Sequence, residues 1–468
     1  MHDTMTDFSS GFGYRSINPA TGELVRSFDT ATDDDVAAAL SSVHQAYAMW
    51  RTIPVTERSA VVQRIGDLFL ERADELAVLA TTEMGKPLAE ARDEAAFCRE
   101  IFSYYASEGP GLLADQPIRT MSGGSAVLQK LPIGPVLGIM PWNYPYYQVA
   151  RFAAPNLVIG NVVLIKHAES VPQTALAIAE IMADAGLPSG TYANLFASHA
   201  QIGEIIADPR VAGVSLTGSE RAGAAVGALA GRHLKKCVLE LGGSDPYVVL
   251  DTDDVVKAAD LAWDTRVSNS GQSCNSNKRM IVMDAIFDDF VARLIKRASP
   301  LTAGDPAEAS GETFAPLSSR EAAERLHEQV QDAVLKGATL HAGGELMPHP
   351  SAYYSPAVLT GVTRSMRAYH EELFGPVAVV FPVSSEEEAI ELANDTPYGL
   401  GGAVFSTDRD RAKRVAARLD VGMSYVNTPA RGGAEIPFGG VKRSGFGREL
   451  GPLGMDEFVN KRIFYTAD

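Results

Sequence analysis

Cys274 closes the run Asn269-Ser270-Gly271-Gln272-Ser273-Cys274. Small residues and a glycine ahead of a cysteine make a tight turn that presents the thiol. A free thiol ionises near pH ~8.5, so such a group reacts at neutral pH only in an electropositive or dipole-rich site. Most free cysteines are simply small buried hydrophobes, but polar Ser273 and Asn275 argue against an apolar setting here. Cys98 and Cys237 lie among apolar periodic residues and are expected to be structural. Glu240 ends the apolar run Val238-Leu239 and precedes Leu241-Gly242-Gly243. Desolvation there would raise its pKa, which suits a general base. An ion pair with Lys235 or Lys236 is the equally plain alternative. Asn143 stands in Pro141-Trp142-Asn143-Tyr144-Pro145, where two prolines fix the loop. A rigidly held amide can stabilise an oxyanion; an isolated Asn is more often a turn residue.

Other segments look fit to hold a nucleotide. Thr217-Gly218-Ser219 leads from an apolar strand into a helix start, with Gly223 four residues after Ser219. Backbone N–H groups at such a junction bind phosphate, although the spacing is not that of the usual dinucleotide fingerprint. Lys166 and Glu169 follow another apolar strand and offer a cation and a carboxylate to a ribose, or simply solvated charge. There is no H-E-x-x-H or C-x-x-C, so no metal site is expected.

These residues need scaffolding, and the periodicity supplies it. Thr32 followed by Asp33-Asp34-Asp35 reads as a capped helix start. Helical periodicity then runs to about Tyr105, and Gly109-Pro110-Gly111 is expected to stop it. Short strands with a Gly123-Gly124 turn are expected over 116–132. From Pro135 apolar strands alternate with helices, at 136–139, 162–165, 211–216 and 237–241, and again at 279–283 and 377–381. That alternation predicts an α/β fold with two doubly wound domains, plus a small bridging β segment that pairs 116–132 with 458–465.

The 468 residues are enough for two or three domains, and 46% hydrophobic with 21% charged residues is ordinary for a globular chain. A net charge of −17 disfavours nucleic acid and anionic membranes as partners. Three cysteines make no disulfide framework, so reduced thiols and a cytoplasmic location are expected. The first residues lack a signal-peptide pattern, and no apolar run approaches a membrane span.

Taken in order, the motifs resemble those of the aldehyde dehydrogenase superfamily across nearly the whole chain. They are Pro141-Trp142-Asn143, Lys166 with Glu169, Thr217-Gly218-Ser219, Glu240–Gly243, Gly271–Cys274, Glu372-Leu373-Phe374-Gly375-Pro376 and Pro437–Gly440 followed by Ser444–Glu449. The resemblance implies a cofactor domain from 1–113 and 133–242, a catalytic domain over 243–446, and a bridging segment from 114–132 and 447–468. It implies a homodimer or homotetramer. It also implies that Cys274 attacks an aldehyde, that Asn143 holds the oxyanion, and that Glu240 activates the water that releases a carboxylic acid. Trp142, Lys166, Glu169, Gly218, Ser219, Gly223, Leu241, Glu372 and Phe374 are the implied cofactor contacts.

Glu240–Pro246 and Arg151–Pro155 most resemble the succinate-semialdehyde branch of that superfamily. Arg151 lies eight residues after Asn143, about two helical turns, and a guanidinium there can take the far carboxylate of an ω-oxo acid. An Arg that pairs with an acidic neighbour is the alternative. Some relatives carry a second Arg where this chain has Ser268 and a Ser where it has Gly433. Tyr144, with Tyr146 and Tyr147, can equally line a pocket for broader aliphatic or aromatic aldehydes. Glu169 favours NAD over a 2′-phosphate, and Lys166 leaves NADP open. Two rivals are a CoA-acylating enzyme, which Glu240 argues against, and a non-catalytic oligomeric scaffold, which Cys274, Glu240 and Asn143 argue against.

Overall fold

The computed structural model describes residues 13–121, 123–430 and 432–468. Residues 1–12, which open the expected 1–113 segment and carry the signal-peptide expectation, lie outside the described residues, as do Ser122 and Arg431. Among the described residues no helix is long and apolar enough to cross a membrane.

A six-stranded sheet runs in the order Gly445–Phe446, Lys236–Glu240, Gly213–Thr217, Pro135–Met140, Val162–His167, Tyr192–Asn194. All its pairings are parallel except that of Gly445–Phe446. Successive strand residues face opposite sides, and both sides are covered. Val136, Val163 and Ile165 pack under the helices around Ala153 and Leu157, while Leu137, Leu164 and Leu216 pack under Ile202, Ile205 and Val226. That two-sided burial explains the near-continuous apolar strands. The helices Asp33–Trp50, Val55–Glu71, Ala73–Met84 and Leu88–Leu112 precede this sheet. Thr32 caps the first of them, its hydroxyl accepting from the Asp35 N–H while Asp35 bonds back to the Thr32 N–H.

A seven-stranded sheet has the order Thr339–Ala342, Ala357–Thr360, Val377–Val383, Arg279–Met283, Pro246–Val249, Gly401–Phe405, Met423–Val426. Only its first pair is antiparallel. Tyr247, Met280 and Val380 face one core and Val248, Ile281 and Val404 another. The protein is therefore α/β with two doubly wound sheets. A third, antiparallel sheet joins Val459–Thr466, Ser125–Pro132 and Gln116–Ile118. The Gly123-Gly124 turn has φ of +85° and +70°, which glycine adopts at no steric cost.

Three details differ from the sequence expectations. The fourth helix does not stop at Gly109-Pro110-Gly111 but runs to Leu112. Pro110 lacks only its own N–H, and the helix closes normally beyond it with Leu113 N–H on Gly109 O at 3.0 Å. Gly109 is there for contact, since a Cβ would stand 2.5 Å from Val158 Cγ1. Second, Gly445–Phe446, placed at the end of the 243–446 catalytic segment, pairs instead with Leu239 and Glu240 in the cofactor sheet. Third, a hairpin of Tyr14–Ile17 and Leu24–Phe28 precedes the first helix and carried no clear alternation in sequence.

Candidate functional site

The parallel strands of the six-stranded sheet end together, as adjacent register shows: Ile139 opposite Lys166, Met140 opposite His167, and Thr217 opposite Glu240. Ligands of open α/β sheets bind beyond such carboxyl ends. The segments that leave this edge are Pro141–Tyr144, Ala168-Glu169, Gly218-Ser219 and Leu241–Gly243. They are the motif residues singled out above.

One cleft of about 290 Å³ is lined by Trp142, Asn143, Thr217, Gly218, Ser219, Glu240, Leu241, Gly242, Cys274, Arg325, Glu372 and Phe374, among others. A second cavity, of about 350 Å³, is lined by Glu90, Asp93, Glu94, Phe97, Tyr144, Tyr147, Gln148, Ser268, Cys274, Asn275 and Phe438. Cys274 stands on both. The sulfur therefore sits where a ligand in one space would meet a ligand in the other.

The turn that ends at Cys274 is held in an unusual backbone. Asn269, Ser270 and Gly271 take φ of 51°, 53° and 74° in succession. For Asn and Ser that left-handed conformation costs on the order of 1 kcal/mol or more each, so neighbours must enforce it. Glu90 accepts the Asn269 N–H at 2.7 Å, and Asn269 Nδ2 donates to Asn143 O at 2.9 Å. Asn143 Nδ2 in turn donates to Gln272 O at 3.0 Å. Arg266, buried, donates to Gly271 O, Ser276 Oγ, Val377 O and Leu373 O. The amide of Asn143 and the thiol of Cys274 are thus parts of one bonded unit. Tyr144 adds a link, its hydroxyl 2.7 Å from Ser273 Oγ.

Electrostatics at the sulfur are divided. Burial pushes the Cys274 thiol up to about 12, against the pull of the Arg151 and Lys278 charges, while Glu372 and Asp245 push it further up. Glu240 is 2% exposed and neither carboxyl oxygen accepts a hydrogen bond within the described residues. Burial raises its carboxyl well above the usual carboxylate range, with Arg151 pulling the other way and Glu449 adding to the rise. Ion pairing to Lys235 or Lys236 is not what holds it: Lys235 Nζ donates to Asp208 O and Val211 O, and Lys236 Nζ to Asp456 O.

Arg151 is not among the residues lining the second cavity, and the expected sharing of a helical face with Asn143 is corrected. Asn143 lies in the loop before the helix Tyr147–Ile159, so the two do not share a helical face. The Arg151 side chain is fully buried and ion-paired with Glu449, with Nη2 on Thr217 Oγ1 at 3.1 Å. Ser215 Oγ donates to Glu449 Oε1 at 3.2 Å. Phe438 and Tyr147 cover the guanidinium at 4.7 and 5.1 Å from their ring centroids. The pairing with an acidic neighbour, left open in sequence, is the one that forms. Among the described residues, no Lys or Arg lines the second cavity. Ser268 and Tyr144 do line it, and Ser268 Oγ donates to Glu90.

The first cleft suits a dinucleotide. Ser219 caps the thirteen-residue helix Glu220–Arg232, whose free N–H groups face the strand edge. Glu372 presents its carboxylate across Gly242, where a Cβ would stand 2.4 Å from Glu372 Oε2. The Gly243 N–H donates to Glu372 Oε1 at 3.1 Å. Trp142 and Phe374 meet edge to face at 5.7 Å. Gly223 lies inside the helix against Leu241, where a Cβ would be 2.5 Å from Leu241 Cδ2. Lys166 and Glu169 form an ion pair further along the edge, with His199 Nε2 3.6 Å from Glu169. Burial works to raise the Glu169 carboxyl, and Lys166 overrides it, leaving it below its ordinary value.

Four residues around the site escaped sequence reasoning. Arg266, in Asp264-Thr265-Arg266-Val267-Ser268, and Lys278, beside Arg279, stand in no motif, and Asn269 carries no mark of its left-handed backbone. Arg325 belongs to the helix Arg320–Leu335 and reaches the cleft only through tertiary packing.

A half-buried thiol between two cavities at the strand ends of a doubly wound sheet fits a cysteine-dependent oxidoreductase. The aldehyde dehydrogenase family matches residues 6–464, and the chain belongs to that family. It is 55% identical over 450 residues, 96% of this chain and 94% of the other, to a succinate-semialdehyde dehydrogenase [NADP(+)] of Deinococcus radiodurans. It is 42% identical over 454 residues, 97% of this chain and 99% of the other, to succinate-semialdehyde dehydrogenase [NADP(+)] 1 of Mycobacterium tuberculosis. Among solved structures it resembles the succinic semialdehyde dehydrogenase of Streptococcus pyogenes in complex with NADP+. That match has a TM-score of 0.94 and 40% identity, and covers 97% of this chain and all (100%) of that one.

Proposed function

We propose that this protein oxidises succinate semialdehyde to succinate with a nicotinamide dinucleotide, through a covalent intermediate on Cys274. The position of Cys274 on both cavities carries the proposal. The thiolate attacks the aldehyde carbon from the aromatic cavity. Asn143 Nδ2 and the Cys274 N–H hold the oxygen that becomes an oxyanion. The bound dinucleotide supplies a hydride acceptor, and loss of hydride from the tetrahedral carbon leaves a thioester on Cys274. Glu240, ionised, takes a proton from water, and the resulting hydroxide attacks the thioester carbonyl and expels the thiolate. Glu372 would hold the nicotinamide-side ribose, Ser219 the pyrophosphate, and Lys166 with Glu169 the adenosine ribose. Trp142, Gly218, Leu241 and Phe374 wall the same cleft.

The relatives' names move the cofactor proposal from NAD first to NADP+, with Lys166 beside the adenosine ribose as the charge that tolerates a 2′-phosphate. A homo-oligomer is part of the proposal, supported by the exposed Ile463, Phe464 and Tyr465 on the outer strand of the three-stranded sheet. Three cysteines without a disulfide are in keeping with a cytoplasmic setting.

One observation favours a second substrate class. The aromatic cavity presents Phe97, Tyr144, Tyr147 and Phe438 with three carboxylate residues and no cation. That lining suits uncharged aliphatic or aromatic aldehydes better than an ω-oxo acid. The test is NADPH and NADH formation with succinate semialdehyde, aliphatic and aromatic aldehydes, with and without CoA. The proposal expects the highest kcat/KM for succinate semialdehyde with NADP+, and no dependence on CoA. A higher kcat/KM for uncharged aldehydes overturns the substrate, and acyl-CoA as product overturns hydrolysis by Glu240.

A further inference from the structure

Lys278 stands four residues after Cys274, just ahead of the strand Arg279–Met283, and is 2% exposed. A buried ammonium needs acceptors for its donors. Lys278 Nζ has three: Ser273 O at 2.6 Å, Cys274 O at 2.7 Å and Glu372 Oε1 at 3.0 Å. The first two belong to the nucleophile turn. The third belongs to the carboxylate that lies across Gly242, and it also accepts the Gly243 N–H. Asp245, buried nearby, keeps Oδ1 without a hydrogen bond, and burial pushes its carboxyl up to about 7 against the Lys278 charge. Lys278 is therefore the cation that joins the two halves of the site.

We propose that Lys278 is a positioning residue that fastens the nucleophile turn to Glu372 and stabilises the anionic form of the Cys274 sulfur. The inference rests on the proposed roles of Cys274 and Glu372. The side chain touches neither of the reacting atoms, since its donors all go to carbonyl and carboxylate oxygens. One link sets both the direction of the thiol and the direction of the ribose ligand. A neutral residue here would release the two carbonyls and leave Glu372 without its cation.

The thiol's surroundings define the test. Burial opposes ionisation of Cys274, Arg151 and Lys278 favour it, and Glu372 and Asp245 oppose it. The Tyr144 and Tyr147 phenols that also face it are raised by burial and stay neutral. Iodoacetamide alkylation of the cofactor-free, full-length protein is followed from neutral to alkaline pH, with peptide mapping of the modified residue. The thiolate sulfur displaces iodide, and its proton goes to the buffer.

Lys278→Met is expected to move the alkylation profile up by about one pH unit or more, roughly a tenfold slower reaction at fixed pH on the rising limb. Lys278→Arg, which keeps the charge, should recover part of that loss. Glu372→Gln should move the profile down, because it removes an opposing carboxylate. Lys278→Met and Glu372→Gln should both also raise the cofactor KM several-fold. A Lys278→Met protein of unchanged thermal unfolding whose profile overlays that of the parent overturns the proposal. So does any pair of Lys278 and Glu372 variants that shift the profile in the same direction. Where Lys278→Met does not fold, Lys278→Arg and Glu372→Gln decide: the absence of a downward shift in Glu372→Gln overturns it. Alkylation that maps to Cys98 or Cys237 in the parent refutes the nucleophile assignment instead.

Discussion

Arg151→Ala separates two accounts of the same residue. If Arg151 anchored a substrate carboxylate, its loss would raise KM for succinate semialdehyde and leave uncharged aldehydes and stability alone. The structure assigns it to an ion pair with Glu449, with side chains 0% and 6% exposed. Alanine would leave Glu449 in the interior with a single Ser215 hydroxyl at 3.2 Å. Breaking a buried pair by removing one partner costs about 3–5 kcal/mol. At roughly 2–4 °C per kcal/mol for a domain of this size, that is a fall in Tm of about 6–20 °C. Arg151 is also the strongest charge drawing both Cys274 and Glu240 toward ionisation, so kcat/KM should fall for every aldehyde by a similar factor. Thermal unfolding and kcat/KM for succinate semialdehyde and an uncharged aldehyde of equal length are the assays. An unchanged Tm with a selective loss of succinate semialdehyde turnover would refute this reasoning and restore the anchor.

Two further outcomes follow from the same geometry. Asn143→Ala removes the oxyanion donor and a tie to Gln272 O; kcat should fall about 10²–10³-fold with a smaller change in KM, and an unaltered kcat would exclude that role. The pH dependence has a definite sign. A general base works only when ionised, and Glu240 is raised well above the usual carboxylate range, while the Cys274 thiol is pushed up to about 12. Both groups lose their reactive form as pH falls, so kcat/KM, which reports the thiolate, and kcat, which includes hydrolysis by Glu240, should both climb from mildly acidic to alkaline pH; a flat profile in either contradicts the burial of the corresponding group.

Much of this was legible because strand, turn and helix signals coincide with chemistry in the first half of the chain. The apolar strands 135–140, 162–167 and 213–217 are marked by β-branched runs, and their ends carry Pro-Trp-Asn, Lys-x-x-Glu and Thr-Gly-Ser. Burial on both faces of a parallel sheet leaves such runs little freedom to be anything else. The shared face of Arg151 and Asn143 was misread because sequence spacing assumed a helix from Asn143, whereas the prolines hold that stretch as a loop until Tyr147. Its partner Glu449 is 298 residues away in sequence, and no local pattern reports such a pair. Lys278 and Arg266 were hidden for a related reason. Their partners are backbone carbonyls of the nucleophile turn and of the 373–377 segment, and carbonyls carry no sequence signature. The strained run at Asn269 and Ser270 is set by Glu90 and Asn143, which lie over a hundred residues upstream.

Glu240→Gln tests the central claim most directly. The amide cannot take a proton from water, so oxidation should proceed and hydrolysis should stall. Mixing this variant with succinate semialdehyde and NADP+ should give a single stoichiometric burst of NADPH per active site, with negligible turnover afterwards. Mass spectrometry should find a succinyl group on Cys274. Steady turnover without a burst, or acylation at a residue other than Cys274, would contradict the account.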